Sequence, residues 1–191
     1  VDKKLEEKLR GLNVEATAEM QRVAKEIQEL ILGSSMTVDM QDEIKEFYSY
    51  IDAAEELKSI KSAHALLQTT SRDAAFVAVR SSATAEDLPQ ASFAGQQATL
   101  LNVLGKDSVV RAVQECWASL FTARAIYYRV KNNFPHMKVA IAVVVQKQIN
   151  SDASGVAFSI NPATNNEKQI VIEAVFGLGE AVVSGAVNPN T

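Results

Sequence analysis

The sequence predicts an α+β protein with a helical first third and a strand-rich remainder. Two observations carry this: apolar residues recur at three- and four-residue spacing up to about residue 70, and short runs of Val, Ile and Phe take over from residue 76. With 47% apolar and 22% charged residues, the 191-residue chain has enough material for one good core, or one core and a smaller appendage.

Leu5, Leu9 and Leu12 open the helical pattern, and Met20, Val23, Ile27, Leu30 and Ile31 continue it behind Thr17, an expected N-cap, with Gly33 as the stop. A third pattern, Met40, Ile44, Phe47, Tyr48 and Ile51, follows Thr37, and residues 53–68 extend it as helix or helix-like linker. Phe76 to Val79 reads as a short buried strand. Asp107 is then expected to cap one long helix through Val109, Val113, Trp117, Leu120 and Phe121 to about Tyr128, with Pro135 marking its exit. Strands are expected at 138–149, 155–160 and 169–176, and the turn-forming run Asn161 to Asn166 makes the last two a hairpin. The domain division this implies is a helical segment, 1–72, and a nucleotide-binding part, 73–191.

Several function classes drop out on composition. The formal charge is −4, with 10 basic against 14 acidic residues in 1–72 and 9 against 9 in 73–191, so no basic footprint for nucleic acid is present. No apolar run approaches the roughly 20 residues of a membrane span, and the charged start VDKKLEEKLRG lacks a signal-peptide core, which points to a cytoplasmic protein. The lone Cys116 falls on the apolar side of its helix and reads as a core thiol. His64 and His136 have no partner at ligand spacing and read as non-catalytic. The absence of an initiating methionine, and an end at Asn-Pro-Asn-Thr, lead to the expectation that both ends continue in something longer.

One stretch stands out chemically, VAVRSSATAEDLPQASFAGQQATLLNV, residues 77 to 103. Arg80 stands where an apolar strand gives way to Ser81, Ser82, Thr84, Ser92 and Thr99, with Gly95 able to let a backbone approach a ligand closely. A strand-anchored guanidinium beside hydroxyls and loop amides suits phosphate oxygens. No Walker A pattern occurs, so a polyphosphate clamp and an ordinary turn both remain open. Glu86 and Asp87 read as a metal or base pair, or as solvated loop carboxylates. Gln146 interrupts the apolar run Val143 to Val145 and is either an amide partner for an adenine edge or a strand-end polar residue. Phe176-Gly177-Leu178-Gly179-Glu180, followed by Ser184-Gly185, is by default a tight turn.

At the run from Val79 to Pro89, and again at Ala91 to Gln97, the chain resembles the nucleotide-binding domain of the phosphoenolpyruvate synthase family. The resemblance continues through Trp117 to Arg129, Ser154 to Ser159 and Gly177 to Pro189, covering roughly residues 75–191, and is looser in the helical third. Pyruvate phosphate dikinase and rifampicin phosphotransferase share this domain. The resemblance implies a partial ATP-grasp fold that binds ATP with magnesium. The implied reaction turns ATP, pyruvate and water into AMP, phosphoenolpyruvate and phosphate through a phosphohistidine on another domain. It implies that Arg80 contacts phosphate, that Gly95 and Thr99 contact the triphosphate, and that Gln146 contacts the nucleotide near adenine. The family's N-terminal phosphate-binding lysine is expected before Val1 and its metal ligands after Thr191, so no catalytic or metal residue is assigned within the segment. Pyruvate and the phosphohistidine domain are the implied partners in the longer protein, and a homo-oligomer stays open. A nucleotide-sensing module without transfer, and a helical third acting as an interaction surface, are the alternatives.

Overall fold

The computed structural model describes residues 2–59, 75–83, 87–88, 91–92 and 98–185. The elements in order are α1 (Asp2–Leu9), α2 (Thr17–Leu32), α3 (Val38–Ser59), β1 (Val77–Ala83), β2 (Asp87–Leu88), β3 (Ala91–Ser92), β4 (Thr99–Val103), α4 (Lys106–Ser119), α5 (Ala123–Lys131), a short 3-10 turn (His136–Lys138), β5 (Ile141–Lys147), β6 (Ala153–Phe158), β7 (Val171–Phe176) and α6 (Glu180–Val183). The mixture of helices and small antiparallel sheets bears out the α+β class. The chain divides into two compact units, 1–148 and 149–191. The expected boundary at 72–73 lies outside the described residues, but helices α1 to α3 share the first unit with the sheet β4-β1-β5.

In the first unit β1 is the central strand, antiparallel to β4 on one side and to β5 on the other. Period-2 alternation sends Val77 and Val79, both fully buried, to one face. There they meet Val109, Ala112, Val113 and Cys116 of α4, together with Tyr48 of α3. A second cluster joins Leu5 of α1 and Val23, Ala24 and Ile27 of α2 to Leu120, Phe121 and Ile126 around the α4–α5 corner. The apolar stripes read on α1, α2 and α4 are faces that pack, whereas on α3 Ile44, Tyr48 and Ile51 pack and Met40 and Phe47 stay exposed.

Local signals differ from expectation in several places. The first strand runs on to Ala83, so Arg80 lies in mid-strand, paired on both sides, rather than where the strand gives way to a loop, and β6 covers 153–158 rather than 155–160. Thr17 is the first helical residue of α2 rather than its cap; Ala16 holds the cap position without a side-chain hydrogen bond. Asp107 lies in the first turn of α4 and pairs with Lys45 at 2.8 Å, while Gly105, at φ 90°, precedes the helix. The one long helix to Tyr128 is two helices, broken at Leu120 to Thr122, where the Thr122 hydroxyl accepts from the Ala125 N–H at 3.2 Å and starts α5. The apolar periodicity runs through this break because both helices face the same core, so period alone conceals it.

Tyr48 ties three elements together. Buried to 2% exposure, it donates to the Ala75 carbonyl at 2.7 Å and accepts from the Gly105 N–H at 3.1 Å, linking α3 to the entries of β1 and α4. Cys116 is a core thiol as expected: burial pushes it up to about 11, and its sulfur lies 3.7 Å from the Val79 carbonyl. No helix among the described residues is long and apolar enough to cross a membrane.

The second unit is the hairpin β6–β7 with the short α6 beside it. Its turn closes with Asn161 bridged to Asn166, while the Asn161 side chain accepts from the amides of Ala163 and Thr164, as the turn chemistry predicts. Gly155 is required in β6, since a Cβ there would come within 2.6 Å of the Glu173 carbonyl oxygen.

Tyr48→Phe keeps the ring and removes both hydrogen bonds. It is expected to cost about 1–3 kcal/mol, read as a lower urea midpoint at unchanged slope; an unchanged midpoint would show that Tyr48 contributes only its ring.

Candidate functional site

The face of the β4-β1-β5 sheet turned away from α4 is built by the same alternation that builds the core. Val79 points inward, so Arg80 points outward. Directly opposite it stand Thr99 on β4 and Val144 on β5, and Gln146 stands opposite Ala78, one side-chain step along. Residues paired across an antiparallel sheet share a face. Arg80, Thr99 and Gln146, singled out separately in the sequence, therefore stand together on one face, and all three are exposed. With strands about 4.8 Å apart and about 6.8 Å between same-face neighbours, Thr99 and Gln146 lie roughly 12 Å apart with Arg80 between them. Ala78, Ser82 and Ala142 occupy the other positions around them, leaving a low floor from which the longer polar side chains rise.

Among the described residues no side-chain hydrogen bond or ion pair ties down Arg80, Thr99 or Gln146. A planar cation, a hydroxyl and an amide in a line suit a ligand with anionic oxygens at one end and a hydrogen-bonding edge at the other. Gly95, Glu86, Thr84 and His64 lie outside the described residues; Asp87 and Ser92 pair their backbones in the ribbon β2–β3. Among the described residues no group of three or more His, Cys, Asp or Glu stands close enough together to hold a metal ion.

Two supports of this face were not anticipated. Ser119, buried at the end of α4, accepts from the Ala98 N–H at 3.2 Å and donates to the Cys116 carbonyl at 2.7 Å, while the Ser81 N–H donates to the Ala98 carbonyl at 3.3 Å. The chain entering β4 is thereby pinned one residue before Thr99. At the other end of β4, two residues, Leu101 and Asn102, stand against the single Ala78, a bulge in which Asn102 takes φ 57°. Gln148 holds it: its Oε1 accepts from the Asn102 N–H at 2.6 Å and its Nε2 donates to Asn102 Oδ1 at 2.7 Å. A buried serine in an apolar stripe was a usable signal for Ser119; nothing local marks the Asn102–Gln148 pair, which are 46 residues apart.

In the second unit the Gly177 segment is a tight turn. Gly177 has φ +83°, its N–H donates to the Asp152 carbonyl at 2.8 Å, and its carbonyl accepts from Ser151 Oγ at 3.0 Å and Ser154 Oγ at 2.7 Å.

His136 pairs with Arg129 of α5. Its Nδ1 accepts from Arg129 Nε at 3.0 Å, which requires the neutral ring, and burial together with the neighbouring guanidinium pulls it down to about 4. Arg129 is itself fully buried over the Phe121 ring at 5.3 Å, and burial lowers it to about 10.

The whole chain, residues 1–191, matches the family described as "Pyruvate phosphate dikinase, AMP/ATP-binding domain", and the chain belongs to that family. It is 51% identical over 178 residues to a probable phosphoenolpyruvate synthase of Pyrococcus abyssi, covering 93% of this chain and 20% of that relative. It is 49% identical over 185 residues to a probable phosphoenolpyruvate synthase of Methanothermobacter thermautotrophicus, covering 97% of this chain and 25% of that relative. With a phosphoenolpyruvate synthase of Aquifex aeolicus it shares 46% over 189 residues, 98% of this chain and 20% of that relative. The chain thus spans a quarter or less of the length of these relatives.

The His136 pair yields a pH prediction. The unfolded chain takes up the proton near the ordinary value of 6.5 and the folded chain only near 4, so stability falls as pH drops through that window and is unaffected by this group outside it. His136→Asn cannot titrate, so its urea midpoint should fall less between pH 6.5 and 4 than that of the parent; parallel profiles would refute the assignment.

Proposed function

We propose that the chain is the ATP-binding segment of a phosphoenolpyruvate synthase. In the proposed reaction ATP, pyruvate and water become AMP, phosphoenolpyruvate and phosphate, through a phosphohistidine carried on another domain of the longer protein. The observation that carries this reading is the placement of Arg80, Thr99 and Gln146 on one open sheet face; the names of the relatives support it.

In this reading the segment is part of an ATP-grasp fold. Arg80 holds phosphate oxygens through its planar fork, Thr99 and Gly95 contact the triphosphate, and Gln146 reads the nucleotide near adenine. The strand fixes the guanidinium in advance, so little reorganisation is needed as charge develops on the transferred group. Magnesium would supply charge neutralisation on the phosphates when bound, through residues other than those described. The nucleotide-binding part is taken as 73–191 behind the helical segment 1–72, and the protein is placed in the cytoplasm, in the synthesis of phosphoenolpyruvate. The shared domain leaves pyruvate phosphate dikinase or rifampicin phosphotransferase chemistry as the second reading.

Arg80 is exposed, so Arg80→Ala in the longer protein should leave folding intact and abolish transfer of label from radiolabelled ATP to histidine; unchanged labelling would remove Arg80 from the site. For the 191-residue chain, calorimetry with ATP and magnesium should give weak or undetectable binding, because the segment holds only part of the proposed clamp. A low-micromolar dissociation constant would refute that expectation.

A further inference from the structure

Ala98, the residue before β4, is held on both of its backbone polar groups. Its carbonyl accepts from the Ser81 N–H at 3.3 Å and lies 3.8 Å from the Cys116 sulfur, and its N–H donates to Ser119 Oγ at 3.2 Å. In a regular antiparallel ladder a residue that accepts from its partner also donates back to it, so the Ala98 N–H would return to the Ser81 carbonyl. Here Ser119 takes that bond. The β1–β4 pairing consequently ends at Arg80 and Thr99, and the backbone just before Thr99 is fastened to α4.

The direction of the hydroxyl follows from its neighbours. A carbonyl only accepts and a backbone N–H only donates, so the Ser119 proton goes to the Cys116 carbonyl, 2.7 Å away, and a lone pair faces Ala98. The Cys116 carbonyl needs that proton because α4 ends there: the Leu120 N–H, four residues on, turns to the Trp117 carbonyl at 3.3 Å. Ser119 is only 7% exposed, so water has little access to take its place. With N–H and C=O both fixed, Ala98 has neither backbone torsion free, and the Cα of Thr99 is set relative to Arg80 across the strand pair.

We propose that Ser119 is a positioning residue for nucleotide binding: it sets the place of the Thr99 hydroxyl beside the Arg80 guanidinium by drawing the Ala98 N–H out of the strand ladder. This rests on the reading that Thr99 contacts the triphosphate. Without the Ser119 hydroxyl the Ala98 N–H is left with the Ser81 carbonyl, the ladder lengthens by one residue, and Thr99 shifts with the backbone. A displaced contact weakens binding even though no group that touches the ligand has been removed.

Four variants of the longer protein test this, each assayed for transfer of label from radiolabelled ATP over a range of ATP concentrations. Thr99→Ala and Ser119→Ala should each raise the KM for ATP about fivefold or more with the saturated rate held within about twofold, and the double variant should be no worse than Thr99→Ala alone. Val109→Ala removes fully buried apolar volume from the same helix without touching Ala98; it should lower the urea midpoint and leave the KM unchanged. A parent-like KM in Thr99→Ala would remove Thr99 from the site, and the inference with it. With Thr99→Ala impaired, three results would overturn the inference alone: a parent-like KM in Ser119→Ala, multiplied effects in the double variant, or a KM raised as much by Val109→Ala as by Ser119→Ala.

Discussion

The first unit depends on the burial of one stripe of α4 against the central strand. Val109, Val113 and Cys116 recur at helical spacing, and Val77 and Val79 at strand spacing, and each set is sealed by the other. Helices α2 and α3 pack on α4 in turn, so the helical first third and the sheet share one structural centre. Burying a side chain of this size stabilises by about 1.5–3 kcal/mol, and a valine stripe cannot slip by one residue without turning a polar row inward.

The same constraint makes the open face. Because Val77 and Val79 are committed to the core, the residues between and beyond them are committed to the other side, and the antiparallel register carries that choice to Thr99, Val144 and Gln146. Core and candidate site are two sides of one pleat. Ser119 illustrates the link: it sits among the buried residues of α4, yet its hydroxyl holds the backbone at Ala98, next to Thr99.

The buried polar groups follow a consistent logic. Tyr48 and Ser119 answer backbone groups at strand or helix ends, where regular pairing runs out, and the solvent-exposed Asn102–Gln148 pair does the same at the β4 bulge. Arg129 is the expensive exception. Its Nε is satisfied by His136, whereas Nη1 and Nη2 find no partner among the described residues and rest against an aromatic ring instead.

The sequence by itself determined the class and the ingredients. Helical and strand periodicities located the packing stripes of α2 and β1 and part of that of α3, and turn chemistry located the β6–β7 hairpin, because each of these is a local property of the chain; the small, hydroxylated run after Arg80 left a phosphate clamp and an ordinary turn both open. The break between α4 and α5 was less legible, since both flanks face the core and periodicity continues across it, and the start of α2 was misplaced by one residue because Ala16 caps it without a side-chain hydrogen bond. Only the tertiary structure decided that Arg80, Thr99 and Gln146 share a face, because that depends on the register of three strands drawn from positions 77 to 147. It likewise decided that, among the described strands, β5 stands at one side of the sheet with an apolar groove between it and α3. Pairing across a sheet is a long-range choice, made by the burial of the opposite face rather than by any residue near the site.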